Sequence, residues 1–249
     1  MLTAERRRTI LERLEHDGKV VAAELVELLD VSEDTVRRDL RELSAQGLLH
    51  RVHGGALPAP PPLGGFAERL RLAPERKAAL AEAALPLLEG ADVIILDGGT
   101  TAAELARRLP RERACTVLTN APPVAIALAA HPRAEVVLLG GRLLKREQVT
   151  VGAAAVDALR RVRADIAVLG VCSLHPEAGV TALEREEAEV DRAMVDAAGE
   201  VVALATADKL GTVSPWVVAD LADVTHVVTD GDAAATAQLE QAGVAVVRA

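Results

Sequence analysis

The sequence predicts two folding units in one chain: a small front unit of three helices and a β-hairpin, then a larger α/β unit built on a parallel sheet. Three observations predict it. The stretch containing Pro58, Pro60, Pro61, Pro62, Gly64 and Gly65 can continue neither a helix nor a central strand, because proline has no N–H to donate and glycine weakens both elements. Ahead of it the apolar residues recur at helical spacing. Behind it short β-rich runs alternate with Ala-rich amphipathic segments, the pattern of a parallel sheet with helices on both faces.

In the front unit, Ile10, Leu11 and Leu14 mark a first helix, Leu25, Leu28 and Leu29 a second, and Val36, Leu40 and Leu43 a third. Ser32 is the natural N-cap of the third, and Glu33 and Asp34 put negative charge in its first turn, where the helix dipole favours it. Gly47 ends that helix, and 48–56 reads as a hairpin turning near Gly54 and Gly55. The expected boundaries are therefore a front unit over 1–57, a linker over 58–72 and the α/β unit over 73–249. In the latter, 73–88 is helical, and strands buried on both faces are expected at 93–96, 116–119, 136–139, 166–169, 201–204 and 226–229.

A chain of 249 residues that is 50% hydrophobic can bury a substantial core. Its net charge of −9 argues against coating a nucleic acid with the whole surface, so any DNA contact has to be local. Within 1–57 nine Arg and Lys face eleven acids, and placement matters more than the sum: Arg37, Arg38, Arg41 and Arg51 lie together. The polar start and the interrupted apolar runs predict a cytoplasmic protein with no membrane partner. Cys115 and Cys172 are distant from each other and from histidines at ligand spacing, so no disulfide, metal or cofactor is expected.

Three short helices plus a hairpin fit a winged helix-turn-helix, whose third helix enters the major groove while the wing touches backbone. Helical spacing turns Val36, Leu40 and Leu43 inward and leaves Thr35, Arg37, Arg38 and Arg41 outside as donors to phosphates and base edges. On this run alone a second reading stays open, a solvated helix whose Asp39 and Glu42 pair with its own arginines.

The run is not alone. Arg8 and Ile10, then Val31-Ser32 with Thr35-Val36-Arg37-Arg38-Asp39-Leu40, then Gly47 through the wing residues Arg51, Val52, His53, Gly54, Gly55 and Ala56 together resemble the DeoR family of bacterial regulators. The resemblance extends over nearly the whole chain, with Phe66, Arg69 and Lys77 in the family's connecting region. It implies that Ser32, Thr35, Arg37 and Arg38 contact double-stranded operator DNA, supported by Arg51 and His53. It also implies a C-terminal sensor domain similar to ribose-5-phosphate isomerase and CoA-transferase domains, which takes a phosphorylated sugar or related effector. A homodimer or tetramer follows, since one small wing domain buries too little surface for tight specific binding.

The residues of the larger unit point to a ligand site by themselves. In an open parallel sheet, ligands bind beyond the carboxyl ends of the strands. There lie Asp97, Gly98, Gly99, Thr100 and Thr101 after the first strand, Thr119 and Asn120 after the second, Gly140 and Gly141 after the third, Gly152 at a helix start, and Lys209 after a later strand. Each has a plain structural alternative as a turn glycine, a cap or a solvated lysine. Among Glu184, Glu186 and Glu187, the resemblance selects Glu187 as pocket-facing. Two departures bear on the effector: Gly170-Val171-Cys172-Ser173 lacks an acid common in relatives, and Asp191 stands where a basic residue is common. Cys172 is expected to be a small buried residue rather than a redox switch, and Trp216 to serve in packing. A sugar-phosphate isomerase or acyl-CoA transferase with an accessory domain is the competing class, and it needs a carboxylate that position 172 does not supply. A sensor unit that only oligomerises is the third.

Overall fold

A computed structural model describes residues 2–62 and 64–249; Leu63, within the expected linker, lies outside the described residues. The front unit contains α1 (Thr3–Asp17), β1 (Val20–Val21), α2 (Ala22–Leu29), α3 (Glu33–Ala45), β2 (Leu49–Val52) and β3 (Gly55–Pro58). Ile10, Leu14, Leu25, Leu29, Val36, Leu40, Leu43 and Leu49 lie in its core, so the helical spacing of the sequence gives a shared apolar face, except that Leu28 of α2 is exposed. Ser32 caps α3 as expected, its Oγ accepting from Thr35 N–H at 3.3 Å, a contact worth about 1 kcal/mol. The wing is a three-stranded antiparallel sheet in which β3 lies between β1 and β2. Gly55 makes this possible, since a Cβ there would lie 2.0 Å from the Val20 carbonyl oxygen. The strand runs through Pro58, one residue into the expected linker; Pro58 pairs only with Leu49, beyond the reach of two-residue β1, where its missing N–H costs no bond.

The expected linker contains a helix, α4 (Phe66–Arg71), whose Phe66 is buried in the core of the larger unit. Then come α5 (Pro74–Ala84), ending in a 3-10 turn over Leu85–Leu88, β4 (Val93–Leu96), α6 (Thr100–Arg108), β5 (Cys115–Thr119), α7 (Pro122–Leu128) and β6 (Ala134–Leu138). A hairpin of β7 (Arg142–Leu144) and β8 (Val149–Val151) leads through α8 (Ala153–Leu159) to β9 (Ala164–Gly170). The remainder comprises β10 (Ser173–His175), β11 (Gly179–Ala182), α9 (Arg185–Ala197), β12 (Ala198–Ala205), β13 (Trp216–Ala219), β14 (His226–Thr229), α10 (Ala233–Gln241) and β15 (Ala245–Arg248).

The main sheet has the order β15-β14-β12-β9-β4-β5-β6 with every neighbouring pair parallel. From β4 the chain winds outward through β5 to β6, and from β9 it winds the other way, so the winding reverses between β4 and β9. That junction is the topological switch point, the place where an open parallel sheet leaves a crevice. All six expected strands are present. The third is not buried on both faces: β6 is an edge strand, and Glu135, Val137 and Leu138 are exposed, because no further strand covers it. The seventh strand β15, the short β1, and the small antiparallel sheets β7-β8 and β10-β11-β13 were not expected from the sequence.

What orients α3 is a buried ion cluster. Asp39 is fully buried and accepts from Arg6 Nε, and from Arg7 Nε at 2.9 Å, both on α1; Arg7 also pairs with Glu42. The expectation that Asp39 and Glu42 pair within their own helix is therefore corrected: α1 packs against α3 and brings two guanidinium groups to the same carboxylates. Burial opposes ionisation of Asp39, but the hydrogen bonds from Arg6 and Arg7 outweigh it and hold its carboxyl below the usual range. The stability contributed is present above the unfolded carboxyl pKa of about 4 and lost as pH falls through the lowered folded value. Asp39→Ala leaves the mostly buried Arg6 guanidinium without its partner, while Arg7 keeps Glu42. The front-unit transition in urea, followed by circular dichroism, should lose about 3–5 kcal/mol, and a loss below about 1 kcal/mol would reduce the cluster to an ordinary surface pair.

Candidate DNA-reading face and ligand pocket

The internal use of Asp39 and Glu42 determines what α3 shows to solvent. Arg37 is exposed and pairs with Glu33 one turn earlier at 2.6 Å, the intrahelical pairing that was one of the two open readings. Arg38 and Arg41 are exposed, and among the described residues neither forms an ion pair, because the acid one turn ahead of Arg38, Glu42, is held by Arg7. At the start of the helix, Ser32 is exposed and half-buried Thr35 shares a hydroxyl contact with it at 2.9 Å. Arg51 on β2 and His53 at the hairpin tip are exposed on the wing. Exposed cations on α3, a capped N-terminus and exposed Arg51 and His53 on the wing are donor groups of the kind that meet phosphates and base edges.

The second feature lies at the switch point. Asp97 follows β4, and its Oδ2 accepts from Gly170 N–H at the end of β9 at 3.1 Å, bridging the two strands where winding reverses. Gly170 is required there, as a Cβ would lie 2.6 Å from the Gly98 carbonyl oxygen. Gly99 adopts φ +95° to launch α6, which places buried Thr100 and Thr101 at the pocket wall. The pocket, about 110 Å³, is also lined by Arg69 of α4, Arg76 and Lys77 of α5, and Thr206, Asp208 and Lys209 after β12. Arg76 is tied to Asp230 and Asp208, whereas Lys77 donates only to the carbonyls of Arg69 and Leu72. Lys209 Nζ donates to the Val171 carbonyl at 2.7 Å. Burial depresses the ammonium pKa of both lysines, and the neighbouring Arg69 adds to it.

Behind the cations sits an acidic cluster. The carboxyl of Asp191 on α9 lies against that of Asp97, and their interaction lowers Asp97 and raises Asp191. Burial pushes Asp97 up to about 6 and, with the charge of Asp97, Glu187 up to about 7; Asp191 is raised well above the normal carboxyl range by burial and by both neighbours. Cys172 adjoins these groups and is pushed to about 12 by burial and by Glu187, so its thiol stays protonated, which argues against a redox role. Among the described residues, five buried side-chain atoms lack a hydrogen-bond partner, and four of them, Arg69 Nε, Asp97 Oδ1, Asn120 Oδ1 and Asp191 Oδ1, belong to residues of this sheet edge. Unpartnered buried polar atoms are rare in folded proteins.

Of the residues expected from sequence, Thr100, Thr101 and Lys209 line the pocket; Asp97 and Glu187 belong to the acidic cluster behind it, and Gly98 and Gly99 form the turn between β4 and α6. Thr119 and Asn120 brace the loop behind Gly98, with Thr119 Oγ1 accepting from Ala121 N–H and Asn120 bonded to Thr150. Gly140, Gly141 and Gly152 do not line the pocket. Gly141 lets the chain pass the Val151 carbonyl, and Gly152 turns into the seven-residue α8. Trp216 is 43% exposed rather than packed, in a separate groove with Arg160, Arg185 and Arg192. Arg69, Arg76 and Lys77 were not anticipated as pocket residues; their signal was the cationic helical run following Gly65.

Fold and surfaces define a DNA-binding transcriptional regulator with a ligand-sensing domain. The chain belongs to the DeoR family: residues 6–59 match the DeoR-like helix-turn-helix domain, and residues 72–231 the DeoR C-terminal sensor domain. It is 38% identical to the HTH-type transcriptional regulator GlpR of Haloferax volcanii, over 99% of this chain and 98% of that one. It is 33% identical to the HTH-type transcriptional repressor GlcR of Bacillus subtilis, over 92% and 89% of the two chains. Ribose 5-phosphate isomerase A of Methanocaldococcus jannaschii is similar over 53% of this chain and 52% of that one, at 19% identity and a TM-score of 0.38. No helix among the described residues is long and apolar enough to cross a membrane.

The acidic cluster has a consequence for stability. A carboxyl with a raised folded pKa holds a proton that the unfolded chain has already lost, so stability falls as pH rises from about 4 through the folded values. Asp191→Asn keeps a donor for Asp97 and removes the charge. Its melting temperature should exceed that of the parent by about 4 °C at pH 8, with the difference shrinking as pH falls and vanishing only below about pH 4; an equal gain at about pH 8 and below about pH 4 would show that the cluster does not titrate.

Proposed function

We propose that this protein is a repressor whose α3 and wing hold operator DNA and whose switch-point pocket takes a small phosphorylated metabolite, most simply a sugar or polyol phosphate, that changes operator affinity. The observation that carries the reading is the pocket's division of charge: Arg69, Lys77 and Lys209 stand beside the N-terminus of α6, where a dianionic group is stabilised. The acidic cluster behind them offers acceptors to hydroxyl groups.

The names of GlpR and GlcR as a transcriptional regulator and a repressor agree with it. Two or more protomers acting on repeated half-sites fit the small area that one wing domain can bury. Ser32, Thr35, Arg37, Arg38 and Arg41, with Arg51 and His53, are the proposed DNA-contacting residues. A second reading, isomerase-like catalysis, is favoured by one observation alone, the Glu187 carboxyl near the pKa of a general base; conversion of ribose 5-phosphate by the purified protein would establish it.

DNA upstream of the protein's own gene is the natural probe. Arg38→Ala with Arg41→Ala should weaken binding and reduce the slope of log affinity against log salt by about 2; unchanged affinity and slope would remove α3 from the interface. For the pocket, a panel of sugar phosphates should raise the melting temperature of the parent and not that of Lys209→Ala.

A further inference from the structure

The proline-rich stretch is pinned to the larger unit at both ends. At the front, Val213 N–H donates to the Pro58 carbonyl at 2.9 Å; at the rear, Phe66 N–H donates to the Arg146 carbonyl at 2.7 Å and the Phe66 ring sits in the core. Each pin lies a few residues from a pocket cation: Lys209 precedes Val213, and Arg69 follows Phe66.

The path from Lys209 to Val213 has little slack. Thr212 Oγ1 donates to the Lys209 carbonyl, Gly211 N–H to the Leu174 carbonyl, and Ser214 N–H to Thr181 Oγ1, each at 2.8 Å. At the far end, Pro58 terminates β3, the middle strand of the wing, which pairs with β1 and with Arg51 on β2. A displacement of Pro58 therefore moves the whole wing rather than one edge. There is room for it: a cleft of about 540 Å³ separates the units, with Leu49 and His50 of the wing on one side and Leu183, Val213 and Pro215 on the other. Among the described residues Lys209 Nζ donates to the Val171 carbonyl alone and Arg69 Nε is buried without a partner, so an anion entering between them has reason to draw both.

We propose that ligand binding is transmitted to the wing through the segment from Lys209 to Val213, with the Val213–Pro58 hydrogen bond as the mechanical link. This rests on the reading of the pocket as an anion site. Binding exchanges the Val171 carbonyl for the anion as the partner of Lys209, shifts the short segment behind it, and carries Pro58 and the wing along. The stiffness of consecutive prolines and the second pin at Phe66 keep the following stretch from absorbing the movement.

Amide hydrogen exchange on the full-length protein, with and without millimolar inorganic phosphate, tests it. In the parent, phosphate should slow exchange in the pocket peptide around 97–103 and change exchange in the wing peptide around 49–58, each by about fivefold or more. Val213→Pro removes the N–H of the link; two glycines inserted after Gly211, at φ +70° in open space, keep the hydrogen bond but slacken the path. Both variants should retain the pocket response and lose the wing response, and the insertion alone decides if the proline variant does not fold. A wing response that persists in the folded variants, or a parent whose pocket responds while its wing does not, overturns the coupling and leaves the pocket reading intact. No response in the parent pocket overturns the anion site, and the coupling with it.

Discussion

The arrangement of the front unit depends on one carboxylate. Asp39 is taken out of water under Arg6 and Arg7, and a buried charge is tolerated only if its partners are held as firmly as it is. The pair thus fixes α1 against α3 at one angle, where apolar contacts among Ile10, Leu14, Val36 and Leu40 would accept several. The same cluster decides the surface. By engaging Arg7, Glu42 is withdrawn from Arg38, and a unit with more acids than bases still shows unpaired guanidinium groups on one helix face. Net charge says little about such a protein because most acids in the unit are already committed or face elsewhere.

The larger unit solves a related problem with the opposite sign. Parallel strands β4 and β9 must approach closely at the switch point, and Gly170 with Asp97 makes the approach by placing a carboxylate on a backbone N–H. Burying that carboxylate beside Asp191 and Glu187 raises all three pKa values, so the cluster holds protons near neutrality instead of three full charges. Cations then gather in front of it from α4, α5 and the segment after β12. The outcome is a pocket with separated acceptors and donors rather than a neutralised salt-bridge network.

Most of this architecture was legible in the sequence because period and punctuation carry it. The three helical faces, the Ser32 cap, the Gly47 stop and the six central strands follow from spacing and from residues with one conformational use. Three kinds of feature were not legible. The partners of Asp39 lie more than thirty positions away on α1, and only the packing of two helices brings them near, whereas helical spacing offers nearer partners that turned out not to be used. Strand β15, closed by Arg248, and the β10-β11-β13 sheet lack either the uniform apolar run or the flanking helices that mark the six central strands. Arg69 was hidden by composition: prolines and glycines made its surroundings read as linker, yet α4 begins immediately after Gly65 and carries that side chain to the pocket.

The misread linker is also where the two units become one device. A freely jointed tether would let the wing sample orientations independent of the pocket, and ligand binding would then change nothing at the DNA, since an equilibrium shifts only by differential interaction with its states. Pinning both ends of the stretch changes that. With Pro58 bonded to Val213 and Phe66 seated in the core, the orientation of the wing becomes a function of the segment that carries Lys209. Pro60, Pro61 and Pro62, which carry no helix or strand, lie between the two cores, so the prolines that separate the cores also restrict the path that joins them.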